Sequence, residues 1–509
     1  LKEFSIYSSI VGILKENAES KIILYRTIAI ILLFALTVYF VYYAPVGTEK
    51  LYCAILLFLF WYSKADYFWF AFFLIISAYP AGLFADTSAN ALRRLPIFSP
   101  VPKISFSMLD LFLIIALIKA IVKGKKTKLL DVYKLKNIAY IIPYVVVVSF
   151  FFGATLKLFL NSAVRGLFFY TLLYSIPALL HNKKEIYKFM LMFFPFVFLE
   201  VIAQIYTIRT GQEFANMFYP GGISEILNSV SGEIRAIPTG YINMRLAFVF
   251  AFVLLESKEN IVPKLYSYIV ILASLTSVII SATRSAIIML IFIFIAYFVF
   301  VARKKPHIIL QIFIFAAISI MILDTTNVID LNNVIGSSYK RFVGAVSIEE
   351  GSIKAEDTFD NRISNRLPIL WDVINQSLFI GYGFSDKYFI NYDGHLGGVL
   401  VGLLQVGIFG FSLYVVFITN IFRRSFWYIR KIPSDNSSIG IVKVFTLSYI
   451  GYLIVNLTVD PIFVLNTSTL PQDIFIHLVM GSFFINMAIR EQVIKRIEKR
   501  KLLFESANA

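Results

Sequence analysis

A single cysteine in 509 residues, Cys53 inside an apolar run, excludes an intramolecular disulfide and leaves the redox compartment open. Charge is sparse as well. Asp, Glu, Lys and Arg make up 15% of the chain, against about 25% in soluble globular domains. No P-loop, GxGxxG, HExxH or GxSxG occurs, so the signatures of nucleotide cradling, zinc-dependent hydrolysis and the serine nucleophile elbow are missing. There is no internal repeat and no low-complexity stretch. The apolar runs do not alternate with polar residues, which excludes a membrane β-barrel. No cleavable signal peptide is expected before the first apolar run.

What is present in excess is apolar surface. Hydrophobic residues reach 59%, with 51 Phe and 29 Tyr, and the mean hydropathy is +0.78. A soluble chain is about 45–50% apolar, and runs of about 18 or more apolar residues read as membrane helices. The runs lie at Ile22–Ala44, Leu51–Tyr62, Tyr67–Phe84, Ser107–Val122, Ile138–Leu156, Val164–Leu180 and Ile186–Ile208. They continue at Thr239–Leu255, Leu265–Ser281, Ser285–Ala302, Ile308–Leu323, His395–Phe422, Ile441–Val459 and Gln472–Ile489. The fold class is therefore an all-α polytopic membrane protein of about fourteen transmembrane helices. Its divisions are 1–323, the first eleven helices; 324–394, a large external loop; 395–489, the last three helices; and 490–509, a basic tail. Residues 1–21 mix apolar with charged side chains, as an interfacial amphipathic helix does.

The net charge of +16 first suggests nucleic acid, but it sorts by side of the membrane. Basic clusters at Lys123–Lys128, His181–Lys184, Arg303–Lys305, Arg423–Lys431 and Arg496–Lys501 all fall on the cytoplasmic side if both termini are inside. The cytoplasmic set is then about 23 Lys to 8 Arg and the external set about 10 Arg to 6 Lys. Topology accounts for most of the positive charge, so no nucleic-acid partner is inferred. It gives no reason for an external preference for arginine. Bidentate recognition of phosphate or carboxylate does.

The external arginines near predicted helix ends are Arg165, Arg209, Arg235, Arg245 and Arg284. Arg284 sits in the tight turn SATRS between two spans, where a charge is costly and is retained for a partner. Snorkelling, or pairing with Glu200, Glu213 or Glu233, is the plainer reading of each. In the loop, Ile363, Leu367, Leu370, Ile374 and Leu378 repeat at helical spacing, which predicts an ordered helical cap lying on the membrane. Arg362 and Arg366 flank that stripe four residues apart, so two guanidinium forks can share a diphosphate. They can equally form a solvated face paired with Asp357 or Asp360. Pro368 begins or kinks the cap helix. His395 opens the next span, where a helix N-terminus and nearby arginines hold imidazole neutral, as a general base requires. Its plainer role is a bond to a loop carbonyl. Asp110 reads as a cap for its helix, together with Ser107. The acidic group Glu349, Glu350, Glu356, Asp357 and Asp360 lacks the ligand spacing of a metal site and reads as solvated loop.

Taken in order, SATRS at Ser281–Ser285, R…W at Arg366–Trp371, GYGF at Gly381–Phe384, HxxxxL at His395–Leu400 and GIFG at Gly407–Gly410 resemble the O-antigen polymerase and ligase superfamily. The resemblance spans about residues 235–412, and many members carry Asn where this chain has Leu396. It implies a GT-C-like, inverting glycosyltransferase of the bacterial inner membrane with a periplasmic active site. The donor would be an oligosaccharide on undecaprenyl diphosphate. The arginines (Arg284, Arg362 and Arg366, with Arg165, Arg235 and Arg245) would hold the diphosphate, and His395 would activate the acceptor hydroxyl. No cofactor, nucleotide sugar or metal is implied. The span count and the late loop favour a polymerase, which extends a lipid-linked glycan, over a ligase acting on lipid A core. A lipid-linked oligosaccharide flippase is the alternative of another class. Flippases have short loops and two similar halves, unlike this chain.

Overall fold

The computed structural model describes residues 21–77 (save 41, 42 and 46), 98–125 (save 102, 103 and 107), 133, 140–155, 170–210 and 241–304 (save 260, 261, 282 and 283). It also describes 307, 310, 311, 314, 362–391, 398–458 (save 434, 435 and 437) and 472–507. Most of these residues are helical, and one antiparallel hairpin, β1 (Phe98–Val101) with β2 (Ile104–Phe106), pairs Phe98 with Phe106 and Val101 with Ile104.

The helices are α1 (Lys21–Phe40), α2 (Thr48–Tyr62), α3 (Asp66–Ser77), α4 (Met108–Lys123), α5 (Ile141–Phe151), α6 (Leu172–Leu179), α7 (Lys183–Leu191) and α8 (Phe194–Thr210). Then come α9 (Tyr241–Glu256), α10 (Lys264–Ser281), α11 (Arg284–Phe300), α12 (Leu367–Gln376), α13 (Asp386–Asn391), α14 (Gly398–Lys431), α15 (Ile439–Thr458) and α16 (Gln472–Ala507). Four stretches among the described residues are long and apolar enough to cross a membrane: Lys21–Phe40, Lys183–Thr210, Lys264–Ser281 and Gly398–Lys431. Shorter apolar helices include Asp66–Ile76, Ile141–Phe151, Ile287–Phe300 and Ile439–Ile454.

From Leu246 to Leu255 helix α9 is apolar on every side, and it is packed among α8, α10, α15 and α16, with Leu246 to Val253 buried throughout. That is where an all-round hydrophobic helix belongs. Beside it, Phe73 of α3 stacks on Phe112 of α4 at 4.1 Å, and Phe60 and Phe70 meet the same ring edge-on or tilted. The outer surface is apolar too. On α1, Leu24, Ile28, Leu32 and Leu36 are exposed at a spacing of four residues, a contiguous apolar row suited to lipid.

Contacts between helix ends divide into two sets. At one end, Lys119 Nζ pairs with Asp66 at 2.5 Å and donates to the carbonyls of Phe60 and Ser63. Lys125 N donates to Ala178 O at 3.0 Å, Lys183 pairs with Glu259 at 3.3 Å, and Lys443 Nζ donates to Phe300 O at 3.3 Å. Asn436 and Gln492 tie the α14–α15 connection to α16 through Ala488 O and Lys431 O. At the other end, Asn243 Nδ2 donates to Ile75 O at 3.1 Å and Gln204 Nε2 to Ser277 O at 2.9 Å. Successive long helices therefore run antiparallel, and one end gathers most of the described lysines, Lys50 and Lys387 standing at the other.

Two details depart from the span boundaries expected from sequence. The stretch Ile186–Ile208 is interrupted between α7 and α8, where Pro195 lacks an N–H and its ring would crowd the carbonyl of Leu191. Helix α16 runs on through residues 490–507, so the basic tail continues the last helix.

Candidate functional site

The cap begins with a π-turn, Arg362–Arg366, followed by α12. Pro368 stands in the first turn of α12, where its missing N–H costs nothing. The wider π-turn just before it relieves the clash a proline ring makes with the carbonyl four residues back. Of the predicted stripe, Leu370 and Ile374 are buried and pack with Tyr382, Tyr388, Val401 and Leu404 in a small core of their own.

After α12 the chain turns sharply. Ser377 Oγ donates to Gly381 O at 2.8 Å, and Gly381 N donates to Ser377 O at 2.8 Å. Gly381 and Gly383 take φ of 70° and 58°, a region glycine enters without steric cost. Tyr382 folds back, its hydroxyl donating to Val373 O at 3.0 Å. This turn docks on α14 at the point where that helix is broken. Gly407 has φ 59° and ψ −172°, a combination essentially confined to glycine.

The break is repaired by exchange. An intact helix would bond Ile408 N to Leu404 O and Phe409 N to Gln405 O. Instead Ile408 N donates to Leu378 O (2.9 Å) and Phe409 N to Phe379 O (3.1 Å). The freed carbonyls of Leu404 and Gln405 accept from Tyr382 N (2.9 Å) and Gly383 N (2.7 Å). Non-helical backbone at membrane depth persists only when such groups find protein partners. Helix α5 closes the joint. Tyr144 OH lies 3.2 Å from Ile380 O and 3.1 Å from Val406 O, and Ser149 Oγ accepts from Phe384 N at 2.7 Å.

The motif glycines are fixed by this approach. A Cβ on Gly381 would meet Gln405 C at 2.5 Å. One on Gly407 would meet Gly381 N at 2.5 Å, and one on Gly410 the Tyr144 ring at 2.6 Å. GYGF and GIFG, two separate short motifs in the sequence, are the two halves of one interlocked joint.

The predicted charged groups fall as follows. Arg366 is half-buried at the head of α12, with Arg362 at the other end of the same π-turn. Arg284 starts α11, whose far end Phe300 reaches the lysine-rich end, so Arg284 stands at the opposite one. Arg245 also stands there, buried on α9 with its guanidinium carbon 5.6 Å from the Tyr452 ring centroid. Glu200 on α8 is buried. Asp110 lies buried in the first turn of α4, where a carboxylate favours the helix N-terminus. His395, Arg165, Arg235, Asp393 and the acidic group 349–360 lie outside the described residues.

A histidine in the last apolar run meets the same tyrosine ring as Arg245. His477 on α16 is fully buried, its ring 4.9 Å from that of Tyr452, the same ring that carries Arg245. Tyr449 OH donates to its carbonyl at 2.5 Å. Sequence spacing hides this group, because its members come from three helices; the available signal was the cost of an imidazole within an apolar helix. No protein-family model and no curated protein matches this chain.

Proposed function

We propose that this protein is a metal-independent, inverting glycosyltransferase of the bacterial inner membrane, and that it polymerises a polysaccharide from undecaprenyl-diphosphate-linked repeat units. The observation that carries the reading is the interlock of Gly381–Phe384 with Gly407–Gly410, formed at the bundle end opposite the lysine-rich one and headed by Arg366. Guanidinium forks suit a diphosphate leaving group, and Arg245, Arg284 and Arg366 all stand at that end. In the proposed step His395 takes the proton of an acceptor sugar hydroxyl. The acceptor oxygen bonds to the anomeric carbon of the donor as the bond from that carbon to the diphosphate oxygen breaks. The polyprenyl diphosphate leaves with the electron pair, held by arginine. The fourteen-span topology, with both termini cytoplasmic, belongs to this proposal and is supported by the antiparallel sorting of helix ends.

The test is incubation of the purified protein in proteoliposomes with lipid-linked repeat units alone. A ladder of lengthened glycans is expected. Product that forms only when lipid A core is added identifies a ligase instead. Transbilayer movement of the donor without any new glycosidic bond refutes the transferase and favours a flippase.

A further inference from the structure

The broken helix α14 is too short, after its break, to cross a bilayer alone. From Ile408 to Phe422 it carries fifteen uncharged residues before the Arg423–Arg424 pair. At ~1.5 Å per residue this is ~22 Å, against a hydrocarbon core of ~30 Å. With the arginines at the inner boundary, ~8 Å of outer-leaflet hydrocarbon remains above Ile408, and any tilt widens that gap. What occupies this level is the first half of α14, Gly398–Val406, with the docked turn and the cap packed against it through Val401, Leu404 and Gln405.

The cap's outward side chains include large apolar ones, interleaved on α12 with exposed Asp372, Asn375 and Gln376. Ile369, Trp371, Phe379 and Ile390 are 65%, 42%, 60% and 81% exposed. They continue an existing lipid-type surface. The Phe379 ring lies 5.9 Å from that of Phe409, and Phe409 heads an exposed row with Leu413 and Val416 on α14. Within that surface the Ser412 hydroxyl bonds back to Ile408 O at 2.7 Å. Phe151 at the end of α5 is 75% exposed, and its neighbour Phe152 packs against Tyr382.

We propose that the cap is seated in the outer leaflet, with Ile369, Trp371, Phe379 and Ile390 among lipid acyl chains, and that the joint at Gly407 sets its depth. The bilayer lipid is the partner. The proposal needs only that the chain spans a membrane, so it stands or falls separately from glycosyl transfer.

The experiment uses the full chain in bilayers, with Trp61, Trp69 and Trp427 changed to Phe so that Trp371 is the only tryptophan, excited at the red edge where tyrosine does not absorb. Lipids brominated at shallow acyl positions should remove about half of the Trp371 emission, since interfacial apolar faces sit ~5–10 Å into the headgroup–acyl boundary. Aqueous iodide should have little effect. Quenching by iodide and not by bromolipid would overturn the proposal, because the cap would then face water. Quenching by neither would also overturn it, placing a second copy or another segment over the face. Removing three tryptophans can disturb folding, so an independent measurement keeps the natural ones. Nitroxides at Ile369→Cys, Ile390→Cys and Asp386→Cys, each in a Cys53→Ala background, report collision with oxygen and with a water-soluble nickel chelate. The first two should favour oxygen and Asp386→Cys the chelate. Equal preference for the chelate at all three would overturn the proposal.

Discussion

Gly407→Ala probes the joint most directly. The residue adopts φ 59° and ψ −172°, which for a residue bearing a Cβ costs ~1–3 kcal/mol. The added methyl would also lie 2.5 Å from Gly381 N, Ile380 N and Phe379 C, and displacing packed backbone costs a further ~1–3 kcal/mol. The docked state therefore loses ~2–6 kcal/mol, or roughly 30-fold to 10⁴-fold in the docking equilibrium. The undocked alternative is a continuous α14, in which Ile408 N and Phe409 N recover helical partners. Tyr382 N and Gly383 N, bonded to Leu404 O and Gln405 O in the native joint, recover none. Hydrogen exchange followed by mass spectrometry should thus show protection lost across residues 378–384 and retained across 404–410. Unchanged exchange in both segments would refute the energetic argument. Loss in both would mean that the bundle itself had opened.

Three further outcomes are expected. Arg284→Lys keeps the charge and loses the fork, so it should impair transfer, while Arg245→Ala and Arg366→Ala should each cost ten- to hundredfold, from ~1.5–3 kcal/mol per charge-assisted bond; wild-type turnover in all three would remove the diphosphate site. His395→Ala and His395→Gln should bind the lipid-linked donor yet lower single-turnover transfer by about 10²–10⁴-fold; normal transfer by the Gln variant would reduce the histidine to positioning, and Asp393 would become the base to test. In a Cys53→Ala background, Asp386→Cys should react with an impermeant maleimide from outside and Lys258→Cys should not, both side chains being exposed; Ser385, next to the first, is 1% exposed and unsuited to the test. Labelling of Lys258→Cys from outside would overturn the antiparallel count.

The sequence by itself determined the local matters. Helices α9 and α10 fall within a residue or two of the apolar runs Thr239–Leu255 and Leu265–Ser281, because a long apolar segment in a membrane protein has one stable conformation, and hydropathy reports it directly. The amphipathic cap was legible for the same reason: Leu370 and Ile374 repeat with the helix period and are buried together. The resemblance drew GYGF and GIFG from the chain as separate motifs without saying that they touch. Only the tertiary structure decided that. The break at Gly407 is invisible locally, since glycine occurs in intact membrane helices. It exists because Leu378, Phe379, Tyr382 and Gly383 offer the replacement hydrogen bonds, and because Tyr144, more than two hundred residues earlier, reaches Ile380 O and Val406 O. The meeting of Arg245, Tyr452 and His477 has the same origin. Hydropathy depends on near neighbours along the chain, whereas packing and backbone hydrogen bonds depend on which helices stand side by side.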